Sequence, residues 1–194
     1  MKRAFSLLEV IVAGALSLLL LVVLTRTLIP IMRHSRQSVA QLELSQLAHL
    51  ISQRLLEDLQ SAPSSAIHLP SSGSPTLFAI QPLERTTATG RPVYQDGLYI
   101  YSLRLEQGLL SRRLCTPADL SLDHPGRFTE TQLNDFYLSA QQPARVLVSR
   151  VLREFSLTAL SPHRPQMIHF HFLLGNNSKE YRFDEVVALR NGER

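Results

Sequence analysis

The 194-residue sequence has one cysteine, Cys115. An internal disulfide is therefore excluded, and so is any metal site built on several thiolates. This count leaves the redox compartment open. Glycine is sparse, eight residues without a cluster, so the chain has no Gly-rich loop to cradle a phosphate. Neither H-E-x-x-H nor G-x-S-x-G occurs, which removes the local signatures of a zinc peptidase and of a serine hydrolase. No EF-hand pattern is present either. A basic surplus is also missing from most of the chain. Lys and Arg total 20 against 16 Asp and Glu, and Lys2, Arg3, Arg26, Arg33 and Arg36 set against Glu9 account for the whole excess of +4. Residues 37 to 194 balance at 15 charges of each sign. Bulk charge thus gives no nucleic-acid-binding domain, and no nucleic-acid partner is expected. With 44% hydrophobic and 19% charged residues, the composition suits one packed domain plus an appendage.

The appendage is Phe5 to Leu24, FSLLEVIVAGALSLLLLVVL, 20 residues with only Ser6, Glu9 and Ser17 polar. As a helix it would span roughly 30 Å, the thickness of a bilayer's hydrocarbon core. A buried core helix would carry a polar face, and Val10 to Leu24 has almost none. A cleaved secretory signal would have a shorter apolar run, about 7–15 residues, and a small-x-small site after it. Here Thr25, Arg26 and Thr27 follow instead. The segment reads as a retained transmembrane helix over residues 5–29. Glu9 is its anomaly, since a carboxylate inside an apolar helix costs about 2.5–3.5 kcal/mol on insertion scales. On spacing alone, Glu9 either has a functional partner or snorkels to the headgroups.

The start of the chain, MKRA followed by FSLLEVIVA, resembles the N-terminus of type IV prepilins. The shared features are a short basic leader, a Phe after the cut, aliphatic residues, and a Glu fifth after the cut. Where that family usually has Gly before the cut, this chain has Ala4, the smallest replacement. The resemblance implies that a membrane prepilin peptidase cleaves between Ala4 and Phe5, removes leader residues 1–4 and methylates the new amino group of Phe5. It also gives Glu9 an assembly role: its carboxylate neutralises the Phe5 ammonium of a neighbouring subunit and favours one axial register. The terminal hairpin ending in VALRN adds a looser resemblance to larger minor subunits. These are the J-type minor pseudopilins of type II secretion and the related W-type minor pilins.

From this resemblance follow a bacterial inner-membrane location, a single pass, and a C-terminal domain in the periplasm or outside. Lys2 and Arg3 lie on one side of the span and Arg26, Arg33 and Arg36 on the other, so loop charge alone does not orient it. The implied function is that of a minor subunit of a type II secretion pseudopilus or its tip, with a type IV pilus or competence pseudopilus as the alternative. The implied partners are the peptidase, other pilins or pseudopilins, the inner-membrane assembly platform and, before assembly, membrane lipid. Arg33 and Arg36 either contact headgroups or are merely solvated. No enzymatic activity and no cofactor are expected. A membrane-anchored enzyme or sensor domain is the alternative of another class, and it would need a catalytic constellation within residues 62–194.

Pro30 predicts a kink or interruption of the helix. Ser35 to Gln60 then reads as an amphipathic helix with Val39, Leu42, Leu47, Leu50, Ile51, Leu55 and Leu59 apolar, within a continuation covering 30–62 and ended by Ala62-Pro63. Together the two helical stretches could reach roughly 80 Å if continuous. Ser61 to Ser74 reads as a loop. The domain 63–194 reads as antiparallel sheet: Thr76–Ile80, Leu98–Leu105, a turn at Gln107-Gly108, Leu109–Leu114, and Phe155–Leu160 within an ambiguous Val146–Leu160. Thr116 to Gln142 is expected to hold loops and one short helix. A terminal hairpin pairs Met167–Leu174 with Glu180–Leu189 through Gly175-Asn176-Asn177-Ser178. The fold class is α+β, a long helix, membrane-spanning in its first half and amphipathic in its second, packed on an antiparallel sheet.

Other chemistry is thin. His169 and His171 share one strand face and are the best metal candidates, with His163 near in sequence; exposure opposite Phe170 and Phe172 is the plainer reading. Asp119 and Asp123, with Asn134 and Asp135, offer a calcium site or simply turn-forming residues. Cys115 reads as a small, partly buried side chain, and Tyr94, Tyr99 and Tyr101 as packing residues rather than an exposed aromatic patch.

Overall fold

The computed structural model describes residues 7–69, 76–118, 120, 125, 128–160, 167–176 and 179–189. Contacts divide the chain into two compact units, Met1–Leu42 and Glu43–Arg194. One helix, α1 (Leu7–Gln60), contributes to both. It runs through Pro30 without the interruption expected there. A proline removes only its own amide donor, and the turns on either side keep theirs.

The second unit is an α+β arrangement. A five-stranded antiparallel sheet has the spatial order β1 (Ile67–His68), β2 (Leu77–Ile80), β5 (Leu98–Arg104), β6 (Leu109–Cys115), β7 (Arg145–Val148). A three-stranded sheet is ordered β10 (Glu180–Ala188), β9 (Met167–Gly175), β8 (Leu152–Ala159), and β3 (Leu83–Thr86) pairs with β4 (Pro92–Tyr94). The second helix, α2, covers Glu130–Ser139.

Both faces of the large sheet are covered. Alternation along β5 sends Tyr101 and Leu103 to one face, where they join Leu44, Ala48, Ile51, Leu55 and Leu59 of α1. Leu98 and Ile100 point the other way and pack with Leu77, Ala79, Cys115 and the α2 residues Leu133 and Tyr137. The sheet is therefore a middle layer between the end of α1 and α2. Stacked rings join the two larger sheets: Phe78 of β2 lies 4.6 Å from Tyr101 and 5.7 Å from Phe155 of β8.

Local chemistry explains the element ends. A reciprocal capping box between Thr129 and Gln132 starts α2. Arg113 closes it from β6, its guanidinium donating to the carbonyls of Tyr137 and Ala140 and thus satisfying helix-end acceptors with a cation. Between β5 and β6, Gly108 adopts φ 59°, and a Cβ there would come within 2.8 Å of the Arg150 backbone. Only glycine fits without displacement.

Several expectations need correction. The buried face of α1 is Leu44, Ala48, Ile51, Leu55 and Leu59, whereas Val39, Leu42 and Leu50 are exposed and Leu47 half-buried. Leu44 and Ala48 continue the three-four spacing of the later residues; the three exposed leucine and valine positions lie off that stripe. The loop after α1 contains a 3-10 turn, Ser64–Ala66, and β1, while residues 70–74 of it lie outside the described residues. The β3–β4 hairpin was not anticipated, since its strands are only four and three residues long and carry no extended alternation. The ambiguous stretch resolves into β7 and β8, split at Arg150, which adopts φ 69°. The expected short helix is α2, and the terminal hairpin pairs in register, Phe172 opposite Phe183. Asn177 and Ser178 of its turn lie outside the described residues.

One polar cluster is sealed in the core, and nothing in the sequence reading singled it out. Asp58, in the last turn of α1, is only 5% exposed. Its Oδ2 accepts from Arg112 Nε at 2.6 Å and from the Tyr101 hydroxyl at 2.5 Å, and its Oδ1 accepts from Arg112 Nη2 at 3.1 Å. Tyr101 and Arg112 face each other across β5 and β6. The Arg112 guanidinium also stacks 3.6 Å from the Tyr99 ring centroid. Burial, followed by the Asp58 charge, pushes the Tyr101 hydroxyl well above its ordinary value. Burial works to lower Arg112, but its hydrogen bonds to Asp58 outweigh that and hold it above the usual range. Breaking this pair leaves a buried charge uncompensated. Asp58→Ala is expected to cost about 3–5 kcal/mol, lowering Tm by roughly 10 °C. Asp58→Leu combined with Arg112→Leu should be less damaging than either change alone. Calorimetry of the two single variants and the double variant checks this, and additive losses would contradict it.

Candidate functional site

The first unit carries the distinguishing chemistry. Every described residue from Leu7 to Val39 is exposed, and the eighteen-residue window of highest mean hydropathy reaches 2.8 with none of it buried. By length and composition this helix can cross a membrane. Its backbone is satisfied internally, as an apolar medium requires. The polar residues that end the run are also satisfied within the helix. Thr25 donates to the carbonyls of Leu21 and Val22 at 2.8 and 3.0 Å, and Thr27 to those of Val23 and Leu24 at 3.1 and 3.0 Å. Such back-bonded hydroxyls enter an apolar helix at little cost.

Glu9 is the only charged residue between Leu7 and Thr25, and it lies in the first described turn of α1. Ala4 and Phe5 lie outside the described residues.

The remaining candidates sit in the second unit. His169 is half-buried on β9, and its Nε2 lies 2.6 Å from Asp184 Oδ1 on β10. That hydrogen bond, the largest influence, holds the Asp184 carboxyl below its usual range. His171 is half-buried on the same strand, and Phe170 and Phe172 between and beside the two histidines are fully buried. Histidine and phenylalanine therefore occupy opposite faces, as the alternation implied. His163 lies outside the described residues. Among the described residues, no three His, Cys, Asp or Glu side chains come together as a metal site. Asp119 and Asp123 are also outside them, while Asn134 and Asp135 are exposed on α2. Tyr94 and Tyr101 are buried and Tyr99 is half-buried, so all three pack. Cys115 is buried, and desolvation pushes its thiol up to about 11, leaving it protonated and unreactive at neutral pH.

Open clefts border the second unit, two of which bear on the candidate chemistry. The larger, about 490 Å³, runs between α2 and the ends of β2 and β5, with Thr76, Arg104, Glu130 and Asn134 on its walls. The smaller, about 300 Å³, lies between α1 and β7 beside Leu50, Arg54 and Val146. In the larger cleft the exposed Thr76 hydroxyl donates to Glu130 Oε1 at 2.5 Å.

His68 was missed by the sequence reading because it sat in a loop by composition. Its Nε2 is buried without a partner among the described residues, and its ring meets Phe128 edge-on at 5.1 Å. Desolvation lowers its pKa from 6.5 to about 4. In the unfolded chain this imidazole takes up its proton near pH 6.5, but in the folded chain only near 4. Between those values the unfolded state binds the extra proton, so stability falls as pH falls. The stability difference between the wild type and His68→Gln should therefore shift by about 1–3 kcal/mol from pH 7 to pH 4. Denaturant titrations across that range measure it, and a pH-independent difference would contradict the assignment.

No protein-family model, no curated protein and no solved structure matches this chain.

Proposed function

We propose that this chain is a type IV prepilin-like subunit: a minor pseudopilin that assembles through α1 into a pseudopilus or its tip for type II secretion. The observation that carries this reading is Glu9, the only charged residue between Leu7 and Thr25, on a stretch of α1 whose apolar side chains from Leu7 to Val39 are all exposed. On this reading a prepilin peptidase cuts between Ala4 and Phe5, and the new ammonium at Phe5 is neutralised by Glu9 of an adjacent subunit. Two opposite charges in an apolar helix bundle attract strongly only when they meet, and leave two desolvation costs when they do not. One axial register is thereby favoured. The exposed apolar flank of the helix supplies the packing surface, and the work done is mechanical, extension of a filament from the inner membrane. The C-terminal domain then stands in the periplasm or outside. A type IV pilus or competence pseudopilus uses the same assembly chemistry, and neighbouring genes for a secretion ATPase and its secretin would favour the secretion system.

Co-expression with a matching prepilin peptidase should yield an intact mass lacking Met1–Ala4 and carrying one added methyl group. A chain left whole beside an active peptidase overturns the proposal. Glu9→Leu should insert into the membrane normally, yet enter filaments roughly a hundredfold less well, the equivalent of leaving one charge unpaired at about 2.5–3.5 kcal/mol. Unchanged incorporation, scored by cross-linking between subunits, would remove the charge pair from the mechanism.

A further inference from the structure

Among the described residues, three guanidiniums on the first unit form no ion pair. Arg26, Arg33 and Arg36 are exposed, and no Asp or Glu occurs anywhere from Val10 to Leu42. The helical neighbours three and four residues away are Val22, Val23, Ile29 and Pro30 for Arg26, and Ile29, Pro30, Arg36 and Gln37 for Arg33. Arg33 and Arg36 are themselves a like-charged pair at a spacing of three, a mildly repulsive arrangement on a helix. At 3.6 residues per turn, Arg26, Arg33 and Arg36 fall within an arc of about 80°. The three form one cationic face rather than a ring. Apolar side chains continue between them: Leu28, Ile29, Ile31 and Met32 are all more than half exposed. This alternation of exposed aliphatic and basic side chains directly follows the stretch able to cross a membrane.

We propose that Arg26, Arg33 and Arg36 bind the headgroups of anionic phospholipids where α1 leaves the bilayer. The proposal rests on the membrane-spanning reading of α1. Guanidinium forks match phosphate oxygens two at a time, and a phosphate between Arg33 and Arg36 relieves their mutual repulsion. Leu28, Ile29, Ile31 and Met32 lie in the acyl boundary, while the longer arginine stems reach out to the charged layer. The anion that the sequence fails to supply is thus supplied by the membrane surface.

The full chain is reconstituted in phosphatidylcholine vesicles containing a minority of phosphatidylglycerol, and the lipid retained by the protein is analysed after extraction into nanodiscs. Phosphatidylglycerol is expected above its bulk proportion at low salt. The enrichment should fall with each Arg→Gln change at these three positions, each lowering the relative affinity for the anionic headgroup by about fivefold, and weaken as salt is raised. Resistance to alkaline carbonate is measured in parallel. A chain that resists carbonate but retains lipid at the bulk ratio overturns this proposal alone. Enrichment that survives Arg26→Gln/Arg33→Gln/Arg36→Gln overturns it too, and points to Lys2 and Arg3. Cross-linking of this face to carboxylates of a second copy, with lipid at the bulk ratio, replaces headgroups by a subunit contact. A chain extracted by carbonate fails both this proposal and the membrane reading beneath it.

Discussion

The large aliphatic side chains between Leu7 and Leu24 have nothing among the described residues to cover them. Each such side chain kept in water forgoes about 1.5–3 kcal/mol relative to full burial. No packing among the described residues offsets that loss, so this surface suits an apolar medium such as a membrane, which the helix is long enough to cross. The same constraint dictates the secondary structure. In an apolar medium every amide must be bonded within its own segment, and a helix achieves this. It also explains which polar residues are tolerated. Thr25 and Thr27 bond their hydroxyls back to carbonyls of the preceding turn, so they bring no unmatched donor.

From Leu44 onward the same helix follows different rules. Buried positions recur at steps of three and four, ending in Leu55, Asp58 and Leu59, and the opposite side turns polar. The change marks where the partner of α1 becomes the β-sheet of its own chain. Asp58 fixes that contact more narrowly than leucines can. Apolar side chains tolerate small slips because their attraction is non-directional. A carboxylate that must meet Tyr101 and two nitrogens of Arg112 at once tolerates almost none. Arg112 is in turn oriented by Tyr99 on the neighbouring strand. The cluster therefore ties the helix, β5 and β6 into one register. Its contribution lies in specificity more than in net stability, because both charges were taken out of water to make it.

What the sequence disclosed depended on the range of the interaction responsible. The apolar helix, the strands β2, β5 and β6, the turn at Gly108 and the terminal hairpin all rest on periodicity or turn chemistry within about ten residues. Each was legible, as were the opposite faces taken by Phe170 and His169. The Asp58 cluster was not, because Asp58 and Arg112 lie 54 positions apart and neither position is unusual alone. A charged residue on the apolar stripe of an amphipathic helix was the available signal, in step with Ile51 and Leu55. Its position near the helix end masked it, since an Asp there is easily taken for part of a solvated terminus. The short strands β1, β3 and β4 were hidden for a related reason. With two to four residues each, they are too short to show a pattern of their own and exist through pairing, β1 with β2 and β3 with β4. The exposed face of α1 was misjudged at Val39, Leu42 and Leu50 because hydrophobicity alone does not say which of two apolar stripes meets the sheet.

The charges on α1 are distributed in a way that the helix itself does not explain. Acidic residues at a helix start and basic ones at its end complement the macrodipole, and that effect fades within a turn. Arg26, Arg33 and Arg36 do not follow this pattern, since α1 continues to Gln60 and its last turn contains no basic residue. Nor do they complete ion pairs along the helix, because the nearest downstream carboxylate is Glu43, seven residues beyond Arg36 and two turns away. Helix stability thus accounts for neither their position nor their number. What does distinguish the position is chemical: it is where the uninterrupted apolar run stops. Charges that form no ion pair among the described residues, gathered where a stretch able to cross a membrane ends, are placed to suit counter-ions at a membrane surface.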